Sequence, residues 1–424
     1  MLELNYLRNN VELVRRKLVV KHFNALHLID EIIALDTDRR HSQQALDDIL
    51  HQSNRLSKDI GSLYKQGKAQ EANALKAQTA QLKEQSHKHQ EQLHEITSAL
   101  QDKLVLLPNI PHDKVPLGHL DTDNVIVREG GVKPILLEDA KPHWELAEQY
   151  NIISLELGVK ITGAGFPVYL NKGARLQRAL INFFLDEATL AGYTEMQVPH
   201  LVNEESAFGT GQLPDKEGQM YHARDDNFYL IPTAEVPLTN IYRDEIVLEA
   251  DLPIKMCGYT PCFRREAGSY GKHVRGLNRV HQFDKVEIVQ IAHPDQSYAT
   301  LDLMVAHVEQ ILQKLQLPYR ILALCGGDVS FASALTYDFE VFSTAQNRWL
   351  EVSSVSNFET FQSNRMKLRY RDTEQKKAVL AHTLNGSALA LPRIVAAILE
   401  NYQTPQGIVI PEVLQPYTGF AIIN

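Results

Sequence analysis

The sequence predicts an α+β protein: a long N-terminal antiparallel α-helical coiled-coil hairpin, then a domain built on a mostly antiparallel β-sheet flanked by helices. Three observations carry this prediction. Residues 28–107 lack proline and place apolar residues at heptad spacing. Three prolines then fall within nine residues, from Pro108 to Pro116. Beyond them, strand-like runs cluster between residues 193 and 355 without regular strand–helix alternation, which favours an antiparallel sheet.

Two segments of the first hundred residues carry the heptad pattern, with a break at "YKQGKAQE". The seam positions are Leu46, Ile49, Ser53, Leu56, Ile60 and Leu63, then Leu75, Thr79, Leu82, Ser86, His89, Leu93, Ile96 and Leu100. Gly67 in the break can adopt the left-handed conformation that ends a helix. A helix over residues 28–65 would extend about 57 Å and would project from a compact domain. Its charges nearly cancel, so a dimerisation or scaffolding coiled coil and a binding arm both stay open.

The proline-rich segment "LPNIPHDKVPLG" predicts a boundary between two domains, residues 1–108 and 109–424. In the second domain, amphipathic patterns predict helices over residues 172–192, 297–317 and 387–403. Runs rich in β-branched and aromatic residues predict strands at 193–202, 228–232, 285–292, 319–324 and 348–355.

Composition excludes several classes of function. The 424 residues carry 43 Lys and Arg against 52 Asp and Glu, a net charge of −9, so indiscriminate nucleic-acid binding is not expected and DNA is not a predicted partner. No apolar run reaches the roughly 18 residues of a membrane span. The N-terminus lacks the features of a signal peptide, so we expect a cytoplasmic protein. Neither G-x-G-x-x-G nor G-x-x-x-x-G-K-[ST] occurs, so a nucleotide would need another binding device.

The segment "FRREAGSYGKHVRGLNRVHQFDKVE", residues 263–287, is locally basic within this acidic chain, with six cations against three acids. It is typical of a strand, a loop and a returning strand. Arginines at both ends of such a hairpin could converge on a polyphosphate, because guanidinium groups offer paired donors to phosphate oxygens. Glu266 could accept a hydrogen bond from an amino group, and Phe283 could stack on a base. The alternative is a solvated basic surface.

This segment, together with four others, resembles the class II aminoacyl-tRNA synthetases in the version found in seryl-tRNA synthetases. "FRREAG…RGLNRVHQFDKVE" is similar to their second motif, "GYTEMQVPHLV" to the first and "NGSALALPRIVAAILENYQ" to the third. "PTAEVPLTN" resembles their T-x-E loop, and "WLEVSSVSNFETFQSNRMKLRYR" their metal and ATP strand. The resemblance extends over essentially the whole chain. It implies a class II synthetase catalytic domain, a homodimer formed through the first motif and an N-terminal arm that binds tRNA.

The resemblance implies how ATP is held. Arg264 would hold the α-phosphate, Glu266 would contact the adenine amino group and Phe283 would stack under the ring. Arg279 and Arg393 would clamp the β- and γ-phosphates, so that the catalytic residues are Arg264, Arg279 and Arg393. Glu351 and Ser354 would bind Mg²⁺ through the oxygen ligands that this ion prefers. The full implied ATP site comprises Arg264, Arg265, Glu266, Arg279, Phe283, Glu351, Val352, Ser353, Ser354 and Arg393.

The resemblance also implies an L-serine site and a tRNA(Ser) partner, and leaves open whether tRNA(Sec) is charged. The implied serine-binding residues are Thr233, Ala234, Glu235, Glu287, Asn385 and Ser387. Taken in isolation, Glu287 is better explained as a paired surface carboxylate on a strand, and the family pattern reverses that preference. Candidate tRNA contacts on the arm are Arg39, Arg55, Lys58, Lys65, Lys68 and Lys76.

Some positions depart from the family pattern. Arg265 stands where a small or polar residue is frequent, and the loop "GSYGKHVRG" is unusual. Leu335 replaces a frequent lysine, and Phe358 a frequent cysteine. None removes an implied ligand. Two other functions stay open: a related enzyme that loads a carrier protein, and a non-catalytic coiled-coil paralogue. Retention of the arm disfavours the first, and retention of Arg264, Glu266, Glu351 and Arg393 disfavours the second.

Overall fold

The chain divides into two units in a computed structural model that describes residues 1–135, 138–215, 217–267 and 275–424. The helical unit comprises residues 2–19 and 23–108, and the sheet unit comprises residues 1, 20–22 and 109–424. Among the described residues, no helix is long and apolar enough to cross a membrane.

The helical unit is built around a long antiparallel hairpin, which confirms the predicted architecture. Its helices are α1 (Leu4–Asn9), α2 (Val11–Val20), α3 (His27–Lys65) and α4 (Ala69–Leu104). Gly67, in the turn between α3 and α4, has a φ of +76°, the left-handed conformation that the sequence predicts. Next to this turn the Tyr64 hydroxyl donates to Asn73 Oδ1 at 2.8 Å, and at the other end Lys103 pairs with Glu31.

The predicted heptad seam lies between α3 and α4. Every seam position is buried or half-buried, whereas the positions that flank the seam are mostly exposed. The packing is densest at the base of the hairpin, where Ile29, Ile32, Leu100 and Leu104 are buried. Asp36 is also buried there, and it accepts hydrogen bonds from Arg8 and Arg39. Burial alone would raise the pKa of Asp36, but these arginine hydrogen bonds outweigh it and the pKa is lowered.

The sheet unit is organised by a large sheet. Among the described residues, eight strands form it in the order β1-β11-β12-β13-β16-β10-β9-β4, antiparallel except for the β4–β9 pair. The strand bounds are β1 (Val125–Gly130), β2 (Ile153–Ser154), β3 (Val168–Tyr169), β4 (Thr194–Glu195), β5 (Leu201–Val202), β6 (Tyr221–Ala223), β7 (Phe228–Leu230), β8 (Ile246–Leu248), β9 (Ile254–Phe263), β10 (Gln282–Ala292), β11 (Tyr319–Ala323), β12 (Leu335–Ser343), β13 (Arg348–Glu359), β14 (Arg369–Asp372), β15 (Lys377–Leu380), β16 (His382–Ala390), β17 (Gln403–Thr404), β18 (Gly407–Val409) and β19 (Ile422–Ile423).

Helices cover the sheet and complete the main core. They are α5 (His143–Gln149), α6 (Leu155–Ile161), α7 (Asn171–Leu190), α8 (Glu204–Thr210), α9 (Glu235–Asn240), α10 (Ser297–Lys314), α11 (Thr360–Met366), α12 (Leu391–Asn401) and α13 (Gln415–Thr418). Leu180 of α7, Met304 of α10 and Ile394 of α12 lie in one apolar cluster with Val286 and Phe339 of the sheet. The antiparallel-dominated sheet with flanking helices is thus confirmed.

Two predicted elements differ from the structure. The strand predicted at 193–202 is two short strands, β4 and β5, which belong to different sheets. Pro199 lies between them, and proline lacks the N–H group that a continuous ladder needs. The helix predicted over 387–403 begins only at Leu391, because residues 387–390 pair as the end of β16. Pro392 occupies the first turn of α12, where a missing N–H is tolerated.

Candidate active site

The basic segment forms the end of the β9–β10 hairpin, as the sequence predicts. The antiparallel register places Phe283 opposite Cys262. At the loop end of the hairpin, the Arg264 N–H donates to the carbonyl of His281 at 2.9 Å. The Arg264 guanidinium lies 5.3 Å from the centroid of the Phe283 ring, within range of a cation–π contact. Residues 268–274, which include Lys272 and most of the unusual loop, lie outside the described residues.

The three predicted catalytic arginines are distributed over this hairpin and the adjoining helix. Arg279 donates to Glu266 Oε2 at 2.9 Å. Arg393, in the first turn of α12, donates from Nε to the carbonyl of Asn278 at 3.0 Å. Arg393 is therefore bound to the backbone of the residue that precedes Arg279. Arg265 is exposed, and its backbone N–H donates to the carbonyl of Gln219 at 2.9 Å.

The predicted metal residues lie on β13. Ser354 Oγ and Glu351 Oε1 are 3.5 Å apart, and Arg393 Nη1 lies 3.6 Å from Glu351 Oε2. Val352 and Ser353 are buried, so their contribution to an ATP site would have to come from the backbone. The register sets Asp338 of β12 opposite Ser354. Burial, followed by the Glu351 carboxylate, raises the pKa of Asp338 well above its ordinary value.

These oxygen donors fit a hard cation such as Mg²⁺ that also binds phosphate. Asp338 Oδ1 is buried and has no hydrogen-bond partner among the described residues. Within the same described residues, no three His, Cys, Asp or Glu side chains form a group that would hold a metal ion. A cation next to Glu351 and Ser354 would therefore need further oxygen ligands from a substrate or from water.

A second cluster, deeper in the sheet, contains the predicted serine residues. Glu287 of β10 is fully buried and lies opposite Ser387 of β16. Asn385 Nδ2 donates to Glu287 Oε1 at 2.6 Å, and the Ser387 hydroxyl lies 3.4 Å from Glu287 Oε2. Lys285 Nζ is 2.8 Å from the same Oε2 atom. Glu287 is thus a buried carboxylate surrounded by donors, and the surface interpretation is wrong.

The T-x-E segment adds another buried carboxylate. Thr233, Ala234 and Glu235 are all buried at the start of α9, and Thr233 Oγ1 accepts from the Glu235 N–H at 3.2 Å. Gln362 Nε2 donates to Glu235 Oε1 at 2.6 Å, and Gln362 Oε1 accepts from Thr383 at 2.7 Å. Burial, together with repulsion from Glu287, raises the pKa of Glu235 to about 7. The Glu287 carboxylate thus has Lys285 beside it, whereas the Glu235 carboxyl is bound by the neutral Gln362.

Three residues of this region escaped the sequence analysis: Lys285, Gln362 and Asp338. Lys285 could have been found from the local sequence. It is two residues before Glu287 on the same strand, so both side chains must lie on the same face of the sheet. Gln362 is 127 residues from Glu235, and no local pattern connects them. Asp338 becomes a neighbour of Ser354 only through strand pairing.

The unusual residues leave this site intact. Leu335 is buried in the main apolar core. Phe358 is buried, and its carbonyl accepts from Asn109 at 2.8 Å. His281, immediately before the returning strand, has its ring Nδ1 3.1 Å from the Tyr221 hydroxyl and stacks on Phe166.

On the arm, the candidate tRNA-binding residues differ in how exposed they are and in whether they already contact another side chain. Arg39 is half-buried and bound to Asp36. Five candidates are exposed: Arg55, Lys58, Lys65, Lys68 and Lys76. Of these, Lys68 lies 3.6 Å from Glu71, and Lys76 lies over the Tyr64 ring at 4.9 Å.

Comparison with known proteins defines the class first. Residues 219–402 match the tRNA synthetase class II core domain (G, H, P, S and T), so the sheet unit contains the catalytic core of a class II aminoacyl-tRNA synthetase. Residues 1–111 match the seryl-tRNA synthetase N-terminal domain. The serine–tRNA ligase of Salinibacter ruber is 53% identical and aligns with 100% of this chain and 99% of its own length. The chain belongs to the seryl-tRNA synthetase family.

Solved structures agree with this assignment. The crystal structure of seryl-tRNA synthetase from Pyrococcus horikoshii complexed with ATP has a TM-score of 0.92 and 33% identity, covering 100% of this chain and 99% of that one. The cytoplasmic serine–tRNA ligase of Naegleria fowleri in complex with AMP has a TM-score of 0.85 and 28% identity, covering 98% and 96% of the respective chains.

The first prediction concerns the buried Lys285–Glu287 pair. Lys285→Met should lower the free energy of unfolding by about 3–5 kcal/mol, because it leaves a buried carboxylate without its cation. Both tryptophans lie in the sheet unit, so tryptophan fluorescence during urea unfolding reports on it. The control Lys367→Met removes an exposed lysine and should change stability by less than about 0.5 kcal/mol. The double variant Lys285→Met with Glu287→Gln should recover most of the loss; an equally unstable double variant contradicts the charge argument.

Proposed function

We propose that this site joins L-serine to tRNA(Ser) in two steps, activation by ATP and transfer to tRNA. The observation that carries the proposal is the position of Arg264. Its Nε donates to the carbonyl of Pro232 at 3.3 Å, directly before Thr233, while its guanidinium lies over Phe283. One arginine thus connects the residues that we assign to the amino acid with the ring that we assign to adenine.

The amino-acid pocket is proposed from its charge. Glu235 and Glu287 are both buried, and Lys285 is held by Glu287. The α-ammonium group of serine would supply a further cation and would bind beside Thr233 and Glu235. Asn385 and Ser387 would border the serine hydroxyl. Polar groups built to bind a hydroxyl discriminate strongly against alanine, because alanine leaves them unpaired, while the additional methyl of threonine must be excluded by shape.

In the activation step, an oxygen of the serine carboxylate attacks the α-phosphorus of ATP. The new oxygen–phosphorus bond forms as the bond to the bridging oxygen of pyrophosphate breaks, and pyrophosphate leaves with that electron pair. Arg264 stabilises the charge that develops on the α-phosphate, and Arg279 and Arg393 hold the β- and γ-phosphates. Glu266 accepts from the adenine amino group while the ring stacks on Phe283.

The rest of the proposed ATP site lies along β13. Glu351 and Ser354 would hold Mg²⁺, which offsets phosphate charge when bound. Asp338 could take part as well, since the strand register places it opposite Ser354. Arg265 contributes from the hairpin, and Val352 and Ser353 contribute through their backbone.

In the transfer step, a hydroxyl of the terminal ribose of tRNA attacks the seryl carbonyl carbon, and AMP leaves. The exposed cations of the α3–α4 arm are proposed to bind tRNA(Ser) through its long variable arm, and the same transfer to tRNA(Sec) stays a prediction. The full-length relatives named serine–tRNA ligase and the match of residues 1–111 disfavour a carrier-protein ligase.

Two further features belong to the proposal. We propose a homodimer formed through residues 193–202 and α7, which is supported by the exposed apolar side chains of Leu190 and Leu201. We also propose that the enzyme acts in the cytoplasm, where tRNA is charged for protein synthesis.

The direct test of the function is ATP–pyrophosphate exchange with each of the twenty amino acids. Serine should support exchange, and alanine and threonine should be at least roughly 10²-fold less efficient in kcat/KM. Exchange with threonine at the rate of serine would contradict the pocket, and exchange with a different amino acid alone would contradict the function.

The raised pKa of Glu235 predicts a pH-dependent serine KM. The ammonium group needs the ionised carboxylate, so apparent affinity falls as pH drops through the free-enzyme pKa of about 7. From pH 7 to pH 6 the serine KM should rise about fivefold, in proportion to the lost ionised fraction. Glu235→Gln should bind serine weakly but without this pH dependence. The exposed control Glu204→Gln should retain the wild-type profile; a flat wild-type KM between pH 6 and pH 8 would contradict the assignment.

Shortening the arm separates tRNA binding from activation. Replacing residues 50–84 by a short linker removes the five exposed candidate cations and keeps the buried base of the hairpin. Serine-dependent exchange should persist, while the tRNA KM in aminoacylation should rise roughly tenfold or more. Lys65→Ala in the full chain should reduce the salt-dependence slope of tRNA binding by about one if Lys65 contacts a phosphate. Unchanged tRNA affinity after shortening would favour the scaffold interpretation.

A further inference from the structure

A buried histidine–glutamate pair lies behind the proposed ATP site. His143, the first residue of α5, is 1% exposed, and Glu400, in the last turn of α12, is fully buried. The ring Nδ1 of His143 is 2.7 Å from Glu400 Oε1, and the backbone N–H of His143 donates to the same oxygen at 2.9 Å. Hydrogen bonds from His143 outweigh burial and lower the pKa of Glu400, so Glu400 is a carboxylate.

The other ring nitrogen of His143 faces the ATP hairpin. Nε2 accepts a hydrogen bond from the backbone N–H of Leu277 at 2.8 Å. This bond requires an unprotonated Nε2, so the ring carries its proton on Nδ1 and donates it to Glu400. A Cβ atom on Gly276 would lie 2.3 Å from Nε2, and Gly276 has a φ of +69°. A side chain at position 276 would therefore break the contact.

A second route connects Glu400 to the same segment. Glu400 also accepts from the Ser343 hydroxyl and from Gln346 Nε2, the latter at 2.9 Å. Gln346 Oε1 in turn accepts from Asn278 Nδ2 at 2.9 Å. The segment 276–278 is thus held by His143 through its backbone and by Gln346 through a side chain.

This segment positions two of the proposed phosphate ligands. The carbonyl of Asn278 accepts from Arg393 Nε at 3.0 Å, and Arg279 is the next residue. Arg393 and Glu400 are seven residues apart on α12, so they lie on nearly the same side of the helix, about two turns apart. Before the segment, the Arg275 guanidinium lies 4.8 Å from the centroid of the Trp144 ring, which follows His143 in α5.

We infer that His143 and Glu400 are positioning residues that hold the 275–279 segment, and through it Arg279 and Arg393, in the geometry that binds the terminal phosphates of ATP. The inference rests on the proposed function. Both side chains are buried and act through other residues, without touching ATP. The network holds the phosphate side of the site and leaves Glu235 and Glu287 untouched, so its loss should affect ATP and spare serine.

Two substitutions at position 143 separate the contacts of the ring. Asn can reproduce the Nδ1 donor to Glu400 but cannot reach Leu277, whereas Gln can present an acceptor towards Leu277. His143→Asn should raise the ATP KM about tenfold in serine-dependent exchange, with the serine KM changed less than about twofold. His143→Gln should recover part of the ATP KM. In His143→Asn, amide hydrogen exchange of a peptide covering residues 275–282 should accelerate.

The control is His382→Asn, which replaces a half-buried histidine at the start of β16 whose ring Nδ1 lies 2.7 Å from the Ser297 hydroxyl. This variant should leave unchanged both the ATP KM and the rate of amide hydrogen exchange in residues 275–282. Equal changes in ATP and serine KM, or an unchanged ATP KM in folded His143→Asn, would overturn the inference. If His143→Asn does not fold, Asn278→Ala cuts the second route and should raise the ATP KM in the same selective way. If the wild-type protein shows no ATP–pyrophosphate exchange with serine, the proposed function fails. The ATP affinities of the same variants, measured by calorimetry, then decide the inference.

Discussion

The pairing of β10 with β9 on one side and with β16 on the other is the constraint on which the site depends. Side chains alternate along a strand, so Phe283, Lys285 and Glu287 lie on one face of β10. The register brings Ser387 opposite Glu287. A shift of one residue would turn all three side chains of β10 to the other face, so the proposed positions of the base and of the amino acid are fixed together. The eight-stranded sheet makes such a shift costly, because both neighbours of β10 would have to move.

Burial of charge would give the proposed amino-acid pocket its selectivity. Moving a carboxylate out of water is unfavourable unless it finds cations and hydrogen-bond donors. Glu287 has Lys285, Asn385 and Ser387 around it, whereas the contact to Glu235 comes from the neutral Gln362. The pKa of Glu235, raised to about 7, reflects this difference. A pocket of this kind would favour a ligand with an ammonium group over one without it, since the added cation would offset the repulsion between the carboxylates.

The parts of the fold that depend on local sequence were the most predictable. The heptad spacing predicted the helical hairpin, and the glycine in its break predicted the left-handed turn at Gly67. Both features are determined by residues that are neighbours in sequence. Prediction was wrong where sheet pairing decides. Residues 387–390 have helical periodicity but extend β16, and the run around Pro199 is divided between two sheets. In the site, the family motifs pointed to residues that the structure places together, but Gln362 and Asp338 reach their partners only through tertiary packing.

The arginines of the proposed ATP site are held partly by carboxylate partners that phosphate could replace. Arg279 donates to Glu266, and Arg393 lies near Glu351 while it donates to two backbone carbonyls. Arg279 is 45% exposed, and ion pairs at such positions contribute little stability, so exchanging a carboxylate for a phosphate costs little. A guanidinium also has five N–H donors, so Arg393 can keep its bond to Asn278 while other donors turn to a ligand. In the proposed site these internal partners would orient the side chains before ATP binds, and the backbone bonds that persist would lower the entropy lost on binding.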